Sequence, residues 1–287
     1  MPQPVSLLSG HKIQKYMRVK DHLVSGDDFD LYLDTGWDML LTLPVPDNLE
    51  VYYQSADYKP HYHQNKSLID YLYNLVRRQN YHYKYRLLKE FKPDLNSVLD
   101  YGTATGEFLS FLSKKTIMVS GVEPNKQARD IANEMLENKI SVSIDEVNGK
   151  FDAITLWHVL EHVKEPDILI EKLKNRLNNQ GILVVAVPNF KSFDARHYGA
   201  SWAAYDVPRH LWHFSPLAIQ KLCNKHNMKV MGQKPLYFDS FYVSLLSEQY
   251  KTGKKNFFKA FFTGLKSNWH ARTTGQYSSL VYFIKLI

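Results

Sequence analysis

Ser97-Val98-Leu99-Asp100-Tyr101-Gly102-Thr103-Ala104-Thr105-Gly106-Glu107-Phe108 is the stretch whose reading decides the fold. An apolar strand, Ser97 to Leu99, ends in an acid and breaks into a turn punctuated by Gly102 and Gly106. Phe108, Leu109, Phe111 and Leu112 then fall at helix spacing. Strand, glycine turn and helix make the first half of a nucleotide cradle. Its glycines let the backbone turn tightly and let a ligand approach the amides at the helix N-terminus. A dinucleotide fingerprint, G-x-G-x-x-G, needs glycine at 102, 104 and 107, and Ala104 and Glu107 leave only the first in place. The pattern D-x-G-x-G-x-G fits better, with Asp100, Gly102 and Gly106 present and Ala104 departing.

Working outward, the same strand–helix alternation continues. Lys66 to Phe91 repeats its apolar positions as a helix before the cradle. Thr116 to Pro124 reads as a second strand, Asn125 to Asn138 as a helix, and Ile140 to Ile144 as a third strand. Phe151 to Leu156 is the fourth strand and Gly181 to Val187 the fifth, closing on Pro188-Asn189. Ser215 caps a helix running to His226, with Pro216 at its first position. Met228 to Leu236 is strand six, and an insertion over 239–270 precedes a last strand, Ser278 to Leu286. Such an alternation predicts a doubly wound sheet that binds ligands beyond its strand carboxyl ends. Glu123 stands at the end of strand two, 21 positions after Gly102. An acid there accepts both ribose hydroxyls of a nucleoside, whichever nucleoside it is.

Asp100, Gly102 and Gly106 in this spacing, the strand-two acid Glu123, and the string Trp157-His158-Val159-Leu160-Glu161-His162 after strand four together resemble the class I S-adenosylmethionine-dependent methyltransferases of small-molecule type. The resemblance covers about Lys66 to Ile287. It implies an α/β, Rossmann-like, doubly wound seven-stranded sheet, mostly parallel with an antiparallel last strand. It implies S-adenosylmethionine as cofactor, with S-adenosylhomocysteine as product, and a small-molecule acceptor. Asp100, Tyr101, Gly102, Thr103, Gly106, Glu123 and Pro124 are then the expected cofactor contacts. The adenine is expected near Ser143, Ile144 and Asp145, and Trp157 and His158 face cofactor or acceptor. Glu161 and His162 are expected in the first turn of the following helix. Pro208-Arg209-His210-Leu211, followed by His213-Phe214-Ser215, is similar to a subgroup of these enzymes. Tyr205, Arg209 and His210 are therefore the expected acceptor contacts. His158 or His210 is the expected base where the acceptor is a hydroxyl or an ammonium. The alternative for Arg209 is a structural ion pair with Asp206.

Rival readings attach to particular segments. His158-Val159-Leu160-Glu161-His162 matches the inverted zinc-peptidase motif H-x-x-E-H, but it stands at the mouth of a strand inside a βα series, so no metal is expected. His61 and His63 are two histidines on one strand face, short of the three or four ligands that a metal needs. Residues 1–65 read as a small β-rich lobe, with alternating pieces at Phe29 to Leu33 and Met39 to Leu43. The lobe resembles the zinc ribbon that precedes a Pro-x-Pro turn in related enzymes, here Pro44-Val45-Pro46, but lacks every ribbon cysteine. The chain's single cysteine, Cys223, excludes an internal disulfide as well. Arg77 to Arg86 mixes basic and aromatic residues, which with the net charge of +7 keeps RNA as an alternative partner. A non-catalytic cofactor-binding subunit is the other alternative. Phe257, Phe258, Phe261, Phe262 and Leu265 form one helical stripe among lysines, so 251–266 is the segment for peripheral membrane contact, with packing on the domain or a second subunit as the other outcome. No apolar run reaches transmembrane length and no secretory leader is evident, so a cytoplasmic protein is expected.

Overall fold

The computed structural model describes residues 4–53 and 68–287, with side chains described from residue 77 in the second stretch. His61 and His63 lie outside the described residues. In chain order the strands are β1 (Ile13–Lys20), β2 (Asp28–Asp34), β3 (Met39–Leu43), β4 (Ser97–Tyr101), β5 (Met118–Val122) and β6 (Ile140–Ser141). They continue with β7 (Phe151–Trp157), β8 (Leu177–Pro188), β9 (Trp212–His213), β10 (Met228–Pro235) and β11 (Ser279–Leu286). The helices are α1 (Leu68–Phe91), α2 (Glu107–Ser113), α3 (Lys126–Leu136), α4 (Pro166–Lys174), α5 (Phe193–Tyr198), α6 (Pro216–Lys225), α7 (Asp239–Thr252) and α8 (Phe257–Thr274). Seven strands form one sheet in the order β10-β11-β8-β7-β4-β5-β6, mostly parallel with antiparallel pairing among the last strands, as the resemblance implies. The chain groups into two compact units. One holds Lys59–Trp157, Glu171–Val184 and Phe283–Ile287, and the other Met1–Tyr58, His158–Ile170 and Val185–Tyr282.

In the first of these units β4 is flanked on both sides, parallel to β5 from Ser97↔Met118 and to β7 from Val98↔Ala153. A central parallel strand is covered on both faces, which is why it reads as a continuous apolar run. Val98, Leu99, Val122, Ile154 and Leu156 are wholly buried. α3 buries Ala128, Ala132 and Leu136, one residue per turn. Asn125 caps it by accepting the Ala128 amide, and it ends at Glu137 in the left-handed region. The expected third strand is only two residues long. Ser143 leaves it by accepting the Asp145 amide and starting a 3₁₀ turn over Ile144–Glu146. A hydroxyl acceptor at that position offers the backbone a cap in place of a ladder.

In the other unit β1, β2, β3 and β9 make a four-stranded antiparallel sheet. The sequence sets a lobe boundary near residue 65, whereas this sheet takes its fourth strand from Trp212–His213. Val19, Phe29, Leu31 and Leu40 from the strands pack with Phe190, Tyr198, Trp202 and Tyr205 in a shared core. The insertion is a helical hairpin, α7 on α8. α8 turns its small residues Ala260, Gly264, Ser267 and Ala271 inward. A Cβ on Gly264 would stand 3.0 Å from the Phe241 Cα, so glycine permits the close approach. The phenylalanine stripe is left outside: Phe258 is 83% exposed and Phe262 64%.

Candidate active site

The cradle is built by the turn between β4 and α2. Gly102 and Gly106 adopt φ of 77° and 80°, and Ala104 takes the left-handed region at 49° without being glycine. The turn thus has its glycine-type shape despite the departure at 104. Gly106 is the residue with no room to spare, since a Cβ there would stand 3.0 Å from both the Ala132 Cβ and the Leu136 Cδ1. The amides of Gly102 and Thr103 donate to the Val122 carbonyl at 2.8 and 3.1 Å, which stitches the turn to the end of β5.

Glu123 follows β5, and its carboxylate is fixed from two sides. Oε2 accepts the Ala104 amide at 2.8 Å and Oε1 accepts the Asn125 amide at 2.9 Å. Arg129 Nη1 donates to the carbonyls of Glu123 and Pro124 and braces the backbone beneath. A carboxylate offers about four acceptor sites, so each oxygen keeps one for an incoming hydroxyl. Asp100 is different. It is buried and accepts the Thr155 hydroxyl, and burial pushes its pKa up to about 6 despite the Thr155 bond and the nearby Lys84 ammonium. It shapes the turn from below. Tyr101 is half-buried and its phenol is pushed up by burial, while Pro124 is exposed at the rim. Ser143 is tied to its own turn and Ile144 is buried. Trp157 ends β7 with Phe108 edge-on at 5.8 Å and the Lys84 ammonium 4.2 Å above its ring. Its indole Nε1 is buried and has no hydrogen-bond partner among the described residues. An orphaned buried donor and a half-satisfied carboxylate are what a nucleoside-bearing cofactor would complete. The residues fit such a group.

The basic–aromatic run lies on α1, beside this turn. Arg77 binds both oxygens of Glu107 at 2.8 and 3.0 Å, and the Tyr81 hydroxyl donates to the same carboxylate at 2.7 Å. Tyr81, His82 and Tyr85 pack on the Phe111 ring. These rings serve helix packing.

In the other unit His158 sits at φ 57°, in the left-handed region, and is a third exposed. Its Nε2 lies 3.0 Å from Asp239 Oδ2 and its Nδ1 3.4 Å from Glu161 Oε1. Burial opposes its charge, but the two carboxylates outweigh burial and raise its pKa to about 10. His158 is therefore an imidazolium at neutral pH. Asp239, on α7 and 81 positions away, was not legible as its partner.

Three acceptor candidates are placed otherwise than expected. Arg209 is 1% exposed and donates to Asp206, Asp21 and the carbonyls of Tyr52 and Val207. Its guanidinium forms the structural ion pair, extended to Asp21, and is turned away from solvent. Tyr205 is buried against Trp202 and His213. His210 is 8% exposed, with Nδ1 donating to the Ala204 carbonyl at 2.8 Å. Glu161 and His162 are also not in a first α-helical turn. They lie in a 3₁₀ turn, Leu160–His162, and α4 begins only at Pro166. His158 and His162 are thus not one α-helical turn apart, which removes the geometry of the peptidase motif. His162 Nδ1 lies 3.1 Å from the Arg209 carbonyl, and burial next to His210 lowers its pKa to about 4. Glu161, His162 and His210 bring their ligand-type atoms within 4.8 Å of one another, a juxtaposition the sequence reading did not foresee.

A doubly wound sheet with a glycine turn after its central strand and an acid after the next defines a nucleotide-cofactor-binding α/β protein. The methyltransferase domain family matches residues 75–232, just over half of the chain, and the chain belongs to that family. It is 30% identical over 121 residues to an uncharacterised methyltransferase of Bacillus mycoides, covering 40% of this chain and 57% of that protein. It is 28% identical over 159 residues to the ubiquinone biosynthesis O-methyltransferase of Bradyrhizobium diazoefficiens, covering 50% of this chain and 62% of that one. The matches thus span about three fifths of these relatives. The fold is similar to magnesium protoporphyrin IX methyltransferase from Synechocystis, with a TM-score of 0.50 at 13% identity over 82% of this chain and 94% of that one.

Proposed function

We propose that this chain moves a methyl group from S-adenosylmethionine to an oxygen or nitrogen of a small-molecule acceptor, of the lipid, quinone or sugar type, by in-line displacement. The observation that carries this reading is Glu123, whose two oxygens are each held by one backbone amide and each keep an acceptor site for a ribose hydroxyl. When bound, the cofactor supplies a methyl group on a sulfonium, so a good leaving group is already in place. The chain has to bind, orient and exclude water. Glu123 fixes the ribose, the 102–106 turn permits close backbone approach, and the Trp157 indole N–H donates to the bound group. Asp100 holds the turn and Pro124 the rim. Ser143 and Ile144 border the adenine.

Of the acceptor candidates His158, Tyr205, Arg209 and His210, His158 alone keeps a third of its side chain exposed. We assign it to the acceptor. As an imidazolium held by Asp239 and Glu161, it lends positive charge to an acceptor oxygen whose proton passes to solvent water, rather than taking that proton itself. His210, buried on the Ala204 carbonyl, is not that base. The small-molecule reading is favoured over RNA because the aromatic rings of α1 are packed on α2. A relative in ubiquinone biosynthesis makes phenolic and quinol acceptors the first to try.

The test is calorimetric titration of S-adenosylhomocysteine with NAD as control, followed by methyl transfer to phenolic, quinol and sugar acceptors and to RNA. Saturable binding of S-adenosylhomocysteine alone, with turnover on a small acceptor, is the expected result. Turnover only on RNA overturns the acceptor class. Binding without turnover on any acceptor returns the chain to a cofactor-binding subunit.

A further inference from the structure

Glu161 is a carboxylate in an unusual position. It is 1% exposed, and neither of its oxygens makes a hydrogen bond of good geometry among the described residues. Its ion pair is with His158, whose Nδ1 stands 3.4 Å from Oε1, so its second oxygen keeps its acceptor sites open. A buried carboxylate oxygen left in this way is costly unless something completes it.

Around it stand two histidines whose tautomers are set by their other contacts. His162 Nδ1 meets the Arg209 carbonyl at 3.1 Å and the Tyr53 hydroxyl, which can accept as well, at 3.2 Å, and His210 Nδ1 meets the Ala204 carbonyl at 2.8 Å. A carbonyl only accepts, so each Nδ1 carries the proton and each Nε2 keeps a lone pair. The backbone carbonyl on the far nitrogen is the outer-shell arrangement that orients metal-ligating histidines. The His210 Nε2 also lies 3.9 Å from Asp206 Oδ2. Imidazole lone pairs and a Glu161 oxygen therefore converge, and such a set of acceptors calls for a cation.

We propose that Glu161, His162 and His210 form a binding site for a borderline divalent transition metal of the zinc type, joining the 160–162 turn to the 206–211 loop. Two imidazoles and one carboxylate are the three-ligand set that leaves a fourth position open. The ligand atoms lie within 4.8 Å of one another, and a zinc ion with bonds of about 2.0–2.2 Å draws them together by side-chain rotation. Ligands of mixed nitrogen and oxygen type disfavour magnesium and calcium, which take oxygen. The site lies within one of the two units, and its test reads metal rather than methyl transfer, so it stands or falls separately from the proposed function.

The experiment strips the full chain with a chelator, reloads it with Zn²⁺ or Co²⁺, and measures metal content by elemental analysis after gel filtration. One metal per chain is expected, with affinity lowered more than about 100-fold in Glu161→Gln and in His210→Asn. S-adenosylhomocysteine binding serves as the check that each variant is folded. A His61→Ala/His63→Ala double variant is expected to keep the metal. The cobalt form of the unaltered chain gives a readout independent of any variant's folding, in intense visible bands of low-coordinate Co²⁺. No stoichiometric metal, the weak spectrum of aqueous Co²⁺, unchanged affinity in folded Glu161→Gln, or loss of metal from the His61/His63 variant each overturns the proposal.

Discussion

At the scale of single residues, the two acids near the cradle, buried Asp100 and partly exposed Glu123, divide the work. Glu123 is fixed by amides and keeps acceptor capacity, so Glu123→Ala removes charge-assisted hydrogen bonds of about 1.5–3 kcal/mol each. S-adenosylhomocysteine affinity is expected to fall at least about tenfold by calorimetry, with the melting temperature close to that of the unaltered chain. Full affinity would remove the ribose assignment. Asp100 carries a pH signature instead. Its folded pKa, about 6, lies above the ordinary 3.8, so the folded state binds a proton more readily than the unfolded state. The sign follows. Its contribution is most favourable below about pH 4 and is lost as pH rises through 6, a difference of about 3 kcal/mol. Asp100→Asn should therefore gain stability relative to the unaltered chain between pH 4 and 6 in urea titrations, and stay level above. Motif residues such as these were legible because their chemistry is local: an acid at a strand end, glycines at fixed offsets. His158 was legible as a site residue, but not its charge, because the partner that sets it, Asp239, enters from a helix far along the chain.

At the scale of elements, the turn after β4 depends on Gly106 for two separate reasons. Its φ of 80° disfavours a side chain, and the Cβ would press on Ala132 and Leu136 of α3 at 3.0 Å. Gly106→Ala is expected to destabilise the chain by roughly 1–3 kcal/mol in chemical denaturation. The same change at Gly149, with its Cβ in open space, should cost only the backbone part. The sequence showed the strands and helices of this βα series because periodicity survives in both. It failed at β6, where Ser143 redirects the backbone, and at β9, two residues whose pairing with β3 no local pattern announces. The 206–213 loop was misread for a related reason. Arg209 looks like an acceptor ligand in one dimension, and only the fold brings Asp21 to it, 2.9 Å away. Arg209→Met leaves Asp21 buried without its cation and is expected to cost about 3–5 kcal/mol, while altering S-adenosylhomocysteine affinity little. A loss of affinity with stability intact would restore Arg209 to the ligand side.

At the scale of the whole molecule, the net charge of +7 becomes informative only where it meets the α7–α8 hairpin. A folded chain buries most of its large apolar groups, so a contiguous exposed patch is a signal where a scattered one is not. Phe257, Phe258, Phe261, Phe262, Leu265 and Trp269 are each between 48% and 83% exposed along α8, and Lys254, Lys255 and Lys266 are near them in sequence. No helix among the described residues is long and apolar enough to cross a bilayer. A short aromatic face with lysines at its edges instead has the chemistry of a surface that enters the headgroup layer of an anionic membrane. Sedimentation with vesicles separates the two contributions. Binding is expected to phosphatidylglycerol-containing vesicles more than to phosphatidylcholine alone, and to weaken as salt screens the lysines. Phe258→Ser/Phe262→Ser should weaken binding at every salt concentration with stability nearly unchanged, since both rings are mostly in water already. Equal binding to both vesicle types would leave the lysines without a role. A concentration-dependent dimer by light scattering, lost in the same variant, would assign the stripe to a second copy of the chain instead.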